Sequence, residues 1–331
     1  MRLRTRLPLA LLAATFLALA PTPADARGQP PPDPSGEAPG PNEAPATPDQ
    51  HQDGQSGDDA ASNAPGGQDA PADPAAAQQS GQDIPPPPSA PGFAAPTSGR
   101  DADHFVAGNL LFASFHEVGH AMISEFDLPV LGREEDAADQ FATVLLVPDQ
   151  SHGNDDASVL TDAIAGWFQA ANREDLSQIP WWDTHGPNAQ RAYQIACLLY
   201  GSAPETYTPL ADQISLPQER RDGCSEEWES AIRAWSRLIA PHVLPRGSPP
   251  SQSVTVAYEP SGDYAAEEAF LRGGQFLEGL ADVLRTTLNL PRPIRLVAKI
   301  CGEPNAFWEP GDAQLVMCYE FVRDFRQLHP Q

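Results

Sequence analysis

The chain has 331 residues, with 45 Asp and Glu against 20 Lys and Arg, giving a formal net charge of −25. That balance argues against electrostatic binding to nucleic acid or to an anionic membrane. More than half of the 37 prolines lie before residue 100, so they say little about the folded part. The roughly 230 residues that follow suffice for one compact domain with a sizeable core.

The first 26 residues read as a secretory signal peptide. Arg2, Arg4 and Arg6 form a basic start, LPLALLAATFLALA is an apolar stretch of secretory length, and Ala24-Asp25-Ala26 offers cleavage before Arg27. The apolar run is shorter than the ~18–20 residues of a membrane span, so no stable membrane anchor is expected. Export, to a periplasm or to the medium, is the compartment this predicts. Residues 27–100 are dominated by Pro, Gly, Ala, Gln, Ser and Asp, with Phe93 as their sole aromatic. Such a segment cannot bury enough apolar surface to offset its chain entropy, so a disordered linker is expected. A solvating spacer and an inhibitory pro-segment fit it equally.

A helix over 105–126 follows, with Leu110, Leu111, Phe115, Val118 and Met122 at helical spacing. Leu128-Pro129 ends it, and a second helix runs over 134–147, stopped by Pro148. The first carries HEVGH at 116–120. Residues i and i+4 share a helix face, so His116 and His120 can hold one Zn²⁺ from one side, with Glu117 beside them as a general base. A third protein ligand is needed, leaving the fourth position to water. Fourteen residues separate His120 from Glu135 in the run Glu134-Glu135-Asp136. Carboxylates at a helix start also favour the macrodipole for no catalytic reason. Glu135 alone of the three has an acidic residue at i+4, Asp139, which could accept a hydrogen bond from a ligand imidazole. Glu135 is therefore the expected third ligand.

Further helices are expected at 157–172, 188–200, 225–240 and 264–289, and strands at 252–258, 294–301 and 314–320. The fold class is α+β, mostly helical with a small sheet. All four cysteines come after residue 190, and in an exported chain disulfides are the default. Of three possible pairings, Cys197–Cys224 and Cys301–Cys318 each bracket one supersecondary unit, the second closing a hairpin-like turn. No C-x₂-C spacing supports a four-cysteine zinc site.

HEVGH followed by ExxAD, here Glu135, Ala138 and Asp139, resembles the zincin superfamily in its Glu-liganded gluzincin branch. The longer string HEVGHAMISEFDLPVLGREEDAADQFA is similar to a bacterial domain-of-unknown-function family described as "putative metallopeptidases". So are WWDTHGPNAQRAYQIACLLYG at 181–201, RRDGCSEEWESA around Cys224, and CGEPNAFWEPGDAQLVMCYE at 301–320; the likeness covers roughly 104–329. It implies a zincin-like domain over 101–331 with HExxH on a core helix. It further implies one Zn²⁺ per domain on His116, His120 and Glu135, Glu117 as catalytic base, and a polypeptide or peptide substrate. Gluzincins supply a His or Tyr from a separate segment to steady the oxyanion. His185 could be that donor, or a loop histidine with only local hydrogen bonds, and Tyr319 has similar standing. One departure is visible: in most zincins the sheet precedes the HExxH helix, whereas here the strand signals come near the C-terminus. A zinc amidase acting on a cell-wall amide and a catalytically silent zinc-containing binding protein are the other readings, and an intact Glu117 argues against the latter.

Overall fold

A computed structural model describes residues 92–96, 101–148 and 156–329. The signal peptide expected over 1–26 and the linker up to residue 91 lie outside the described residues. Helix α1 (Ala102–Glu125) starts at Asp101, whose carboxylate accepts the backbone N–H of His104 at 3.0 Å. From Phe105 to Ile123 almost every residue is buried, on all sides of the helix, as befits the central rod of a core. After Glu125 the chain reverses through Asp127, which takes a left-handed φ of 51° ahead of Leu128-Pro129. Helices α2 (Glu134–Leu146) and α3 (Ser158–Ala171) pack against α1.

Helices α4 (Asn188–Ser202), α5 (Pro204–Gln213) and α6 (Gln218–Ile239) complete the helical part. Sequence signals missed α5 because Pro204 and Pro209 read as breakers; Pro204 occupies the first turn, where its absent N–H costs nothing. A disulfide joins Cys197 of α4 to Cys224 of α6. Gly201 permits that approach, since a Cβ there would fall 2.1 Å from the Cys224 carbonyl oxygen.

The C-terminal part begins with β1 (Val254–Tyr258), followed by α7 (Ala265–Gly273) and α8 (Phe276–Thr287). Then come β2 (Ile294–Lys299), β3 (Ala306–Glu309), β4 (Gln314–Cys318) and α9 (Tyr319–Leu328). The sheet order is β1-β2-β4-β3. Strands β1, β2 and β4 are parallel, with Val254 opposite Ile294 and Leu296 opposite Leu315, and β3 runs antiparallel to β4 with Trp308 opposite Leu315. Helices α7 and α8 form the crossover that a parallel β1–β2 pair requires. The fold is α+β, mostly helical, with one small mixed sheet.

Four local expectations are corrected. The single helix expected over 264–289 is two, broken at Gly273-Gly274 and Gln275, whose φ is 49°. The strand expected over 314–320 stops at Cys318, and Tyr319 opens α9 with its side chain buried and its hydroxyl donated to the Glu259 carbonyl. The Cys301–Cys318 bridge is present but closes no hairpin: it links the ends of two parallel strands, with β3 looping out between them. Glu320 braces the same corner by accepting the N–H groups of Cys301 and Gly302. Residues 92–96, inside the expected linker, are docked. The Phe93 ring stacks on Phe168 at 5.6 Å, and the Asn172 side chain bonds both its N–H and its carbonyl.

Non-reducing peptide mapping should recover the 197–224 and 301–318 bridges with no free thiol; a 224–301 linkage would refute the arrangement. The double change Cys197→Ser, Cys224→Ser opens a loop with a sequence separation of 27. Urea unfolding should show a loss of about 3–4 kcal/mol.

Candidate metal centre

The site is built on the contact between α1 and α2, where two small residues meet. A Cβ on Gly119 would lie 3.0 Å from the Ala138 Cα and 3.3 Å from the Phe141 ring. Gly119 belongs to HEVGH and Ala138 to ExxAD, so the helices touch within the two motifs themselves. That approach carries Glu135, three residues before Ala138, over the face that presents His116 and His120.

Three ligand-type atoms converge there. His116 Nε2 lies 3.1 Å from His120 Nε2, and the Glu135 Oε2 lies 3.1 Å and 3.3 Å from these two nitrogens. The opposite ring nitrogens are both engaged. His116 Nδ1 is 2.8 Å from Asp139 Oδ1, and His120 Nδ1 is 2.7 Å from Glu134 Oε1. A carboxylate only accepts, so in each neutral ring the proton sits on Nδ1 and a lone pair on Nε2 points at the other two ligand atoms. Three acceptors facing one another repel unless a cation or protons lie between them. The spacing suits a metal: with bonds of about 2.0–2.1 Å, the edge of a tetrahedral ligand set is about 3.3–3.4 Å.

Metal-free, the cluster holds protons instead. Burial pulls His120 down, but Glu135, Glu134 and Glu117 outweigh it and lift the imidazole to about 9. Burial likewise opposes His116, and Asp139 and Glu135 still raise it. Burial alone would raise Glu135, yet its three imidazole partners hold it well below the usual carboxylate range.

Asp139 is the most constrained group here. Arg191 of α4 grips it with two bonds, Nε to Oδ2 at 2.8 Å and Nη2 to Oδ1 at 2.7 Å. The guanidinium lies 3.8 Å over the Trp167 ring of α3. Burial pushes Asp139 up, but Arg191 and then His116 bring it down to about 2, so it is ionised at neutral pH. Glu117 faces the opposite balance. It is buried, and desolvation raises its carboxyl above the ordinary value despite the two imidazoles. The backbone amide of Trp308 in β3 acts on it in the other direction, favouring the charged form. Its Oε1 is 3.9 Å from His116 Nε2, outside the ligand triangle.

His185 joins from the loop before α4. Its Nε2 is 2.9 Å from Glu135 Oε2, and Asp183 Oδ1 accepts both its backbone N–H and, at 3.1 Å, its Nδ1. The cleft beside these groups has a volume of about 350 Å³ and is lined by His120, Arg133, Glu134, Glu135 and Thr184. The structure thus brings together His116, Glu117, His120, Glu135, Asp139 and His185. It also gives Glu134 a partner, His120 Nδ1, which sequence reasoning did not foresee. Arg191 was missed too. Its signal was faint: it shares a helix face with Ile195 and Leu198, so one charge stands on an apolar stripe and calls for a buried counter-ion.

The sequence profile of a family described as "Putative metallopeptidase" matches residues 92–239 and 258–331. The chain belongs to this family. The match includes every residue of the centre described above, Trp308 among them. No curated protein and no solved structure matched the chain.

Removing one partner of a buried ion pair strands the other. Arg191→Met should therefore destabilise the metal-free protein by about 3–5 kcal/mol in urea unfolding at neutral pH, and adding Asp139→Leu should recover much of it. A cost below about 1 kcal/mol for the single change would show that the pair is solvated.

Proposed function

We propose that the protein is an exported zinc metallopeptidase. One Zn²⁺ per domain is held by His116, His120 and Glu135, and Glu117 is the general base. The observation that carries this reading is the triangle of His116 Nε2, His120 Nε2 and Glu135 Oε2, whose edges are 3.1, 3.1 and 3.3 Å. Two imidazoles and one carboxylate on an open cleft are a donor set for zinc, and membership of a metallopeptidase family agrees with it.

Zinc bound there supplies a Lewis acid that brings the pKa of a coordinated water to about 7. The protein's own groups do the rest. Burial keeps Glu117 more basic than an ordinary carboxylate, which suits it to take the proton of the attacking water near neutral pH and to return it to the leaving amine. His185, with Nδ1 on Asp183 and Nε2 beside Glu135, can donate Nε2–H to the oxyanion that develops on the scissile carbonyl as an imidazolium, a form its carboxylate neighbours favour. Asp139, fixed by Arg191, holds the His116 ring in the tautomer whose Nε2 faces the cleft. Strand β3 ends the sheet on the side of α1, and an extended substrate main chain can add to that edge.

Export rests on the basic and apolar N-terminal pattern before Ala24-Asp25-Ala26, and the two disulfides are consistent with an oxidising compartment. Among the described residues no helix is long and apolar enough to cross a membrane. The substrates are then polypeptides or peptides outside the cytoplasm.

Elemental analysis of the reconstituted protein should find one zinc per chain, and anomalous scattering should place it between His116, His120 and Glu135. Glu117→Gln should abolish peptide hydrolysis at nearly unchanged zinc content; loss of metal together with activity would show that Glu117 is a ligand. Asp139→Asn keeps the size and an acceptor but loses the charge, and should weaken zinc binding about 10–100-fold in chelator competition. Unchanged affinity would remove Asp139 from the centre.

A further inference from the structure

Among the described residues four large apolar side chains stand out in solvent: Leu131 at 103% exposure, Trp182 at 87%, Trp181 at 75% and Ile300 at 45%. The three most exposed belong to the two loops that border the metal cleft. Leu131 lies in the connection between α1 and α2, two residues before Arg133, and the tryptophans lie just before Thr184; Arg133 and Thr184 both line the cleft. The two loops also meet each other, since a Cβ on Gly186 would lie 3.4 Å from the Arg133 guanidinium. The tryptophan loop is held in shape by local bonds, Trp181 N–H to the Ile179 carbonyl and Asp183 N–H to the Pro180 carbonyl.

We propose that Leu131, Trp181 and Trp182 form an apolar rim that selects polypeptide segments carrying aromatic or long aliphatic side chains around the scissile bond. This inference rests on the peptidase reading of the adjoining centre. The side chains lining the cleft are His, Arg, Glu and Thr, with no aliphatic or aromatic hydrocarbon side chain among them. Apolar selection falls to the rim, where covering three solvated hydrophobes removes their contact with water. Trp is a residue type that concentrates binding energy at contact surfaces. Two other occupants would use exposed tryptophans, a glycan and a lipid surface. Leu131 has no flat face on which a sugar ring could stack, and the net charge of −25 repels anionic lipid. Three apolar groups on two separate loops beside one cleft fit a chain that crosses it with apolar side chains.

The full-length mature protein tests this with two matched peptides, one with Leu and Phe flanking the cleaved bond and one with Gly and Ala. The double change Trp181→Ala, Trp182→Ala should lower the ratio of kcat/KM between them by about 10–100-fold. Leu131→Ser on the other loop should lower it in the same direction. These side chains are solvated, so folding and zinc content should not change. Binding is read separately in the Glu117→Gln background, by titrating the uncleaved Leu/Phe peptide and following tryptophan fluorescence and calorimetric heat. Weaker binding in the rim variants supports the rim even if no peptide is hydrolysed, an outcome that would sink the peptidase reading alone. An unchanged ratio together with unchanged binding overturns the rim. So does a result in which the tryptophan changes abolish retention on zwitterionic phosphatidylcholine vesicles or on insoluble peptidoglycan while peptide binding stays as it was.

Discussion

The contact between Gly119 and Ala138 governs how near α2 can come to α1, and the other parts of the centre follow from that distance. A side chain on Gly119 would drive into the backbone of α2 and the ring of Phe141, and would carry Glu135 away from the two imidazoles. With the helices in contact, His116 and Glu117 are sealed from water and must find partners within the protein. Those partners come from every direction. Asp139, beside His116, is on α2; Arg191, which grips Asp139, is on α4 and rests on Trp167 of α3; and the Trp308 amide that acts on Glu117 is on β3. The centre is thus the point at which three further helices and the sheet are tied to α1.

Its charge is lopsided. Glu117, Glu134, Glu135 and Asp139 face the guanidinium of Arg191 and three imidazoles, His116, His120 and His185, the first two neutral when their Nε2 atoms act as ligands. The carboxylates outnumber the fixed positive charge, an imbalance that a divalent cation relieves and that, in its absence, raises the proton affinity of all three imidazoles. Metal and protons therefore compete for the same atoms, and binding the one expels the other. Arg191 is needed in either state, because the carboxylate it grips is shielded from water on α2 and keeps its charge down to about pH 2.

What the sequence disclosed was what is local in the chain. HEVGH and EDAAD lie on successive helices, and helical periodicity alone puts the ligands on one face and Asp139 a turn beyond Glu135. The cysteine pairing was legible for a similar reason, each pair bracketing one short unit. Features set by distant partners were not. Arg191 meets Asp139 across 52 residues, and nothing near it names its counter-ion. The parallel pairing of β2 with β4 was hidden because β3, too short to stand out, lies between them and suggested a hairpin. The break between α7 and α8 depends on a left-handed Gln275, a conformation that Asn or Gly would have advertised and Gln does not. Phe93 looked like part of a linker because its ring partners, Phe168 and Tyr193, come much later in the chain.

The order of the elements along the chain has a consequence for how the centre is completed. HEVGH and ExxAD are near the start of the folded domain, so the metal-type triangle can assemble from the first two helices. The Trp308 amide that acts on Glu117 belongs to one of the last strands, which also packs on α1. Strand β3, held in the sheet by β4, packs on α1, so the surroundings that bury the Glu117 carboxyl and raise its basicity draw on the late part of the chain as well as on the two motif helices. The environment of Glu117 is a property of the folded domain as a whole.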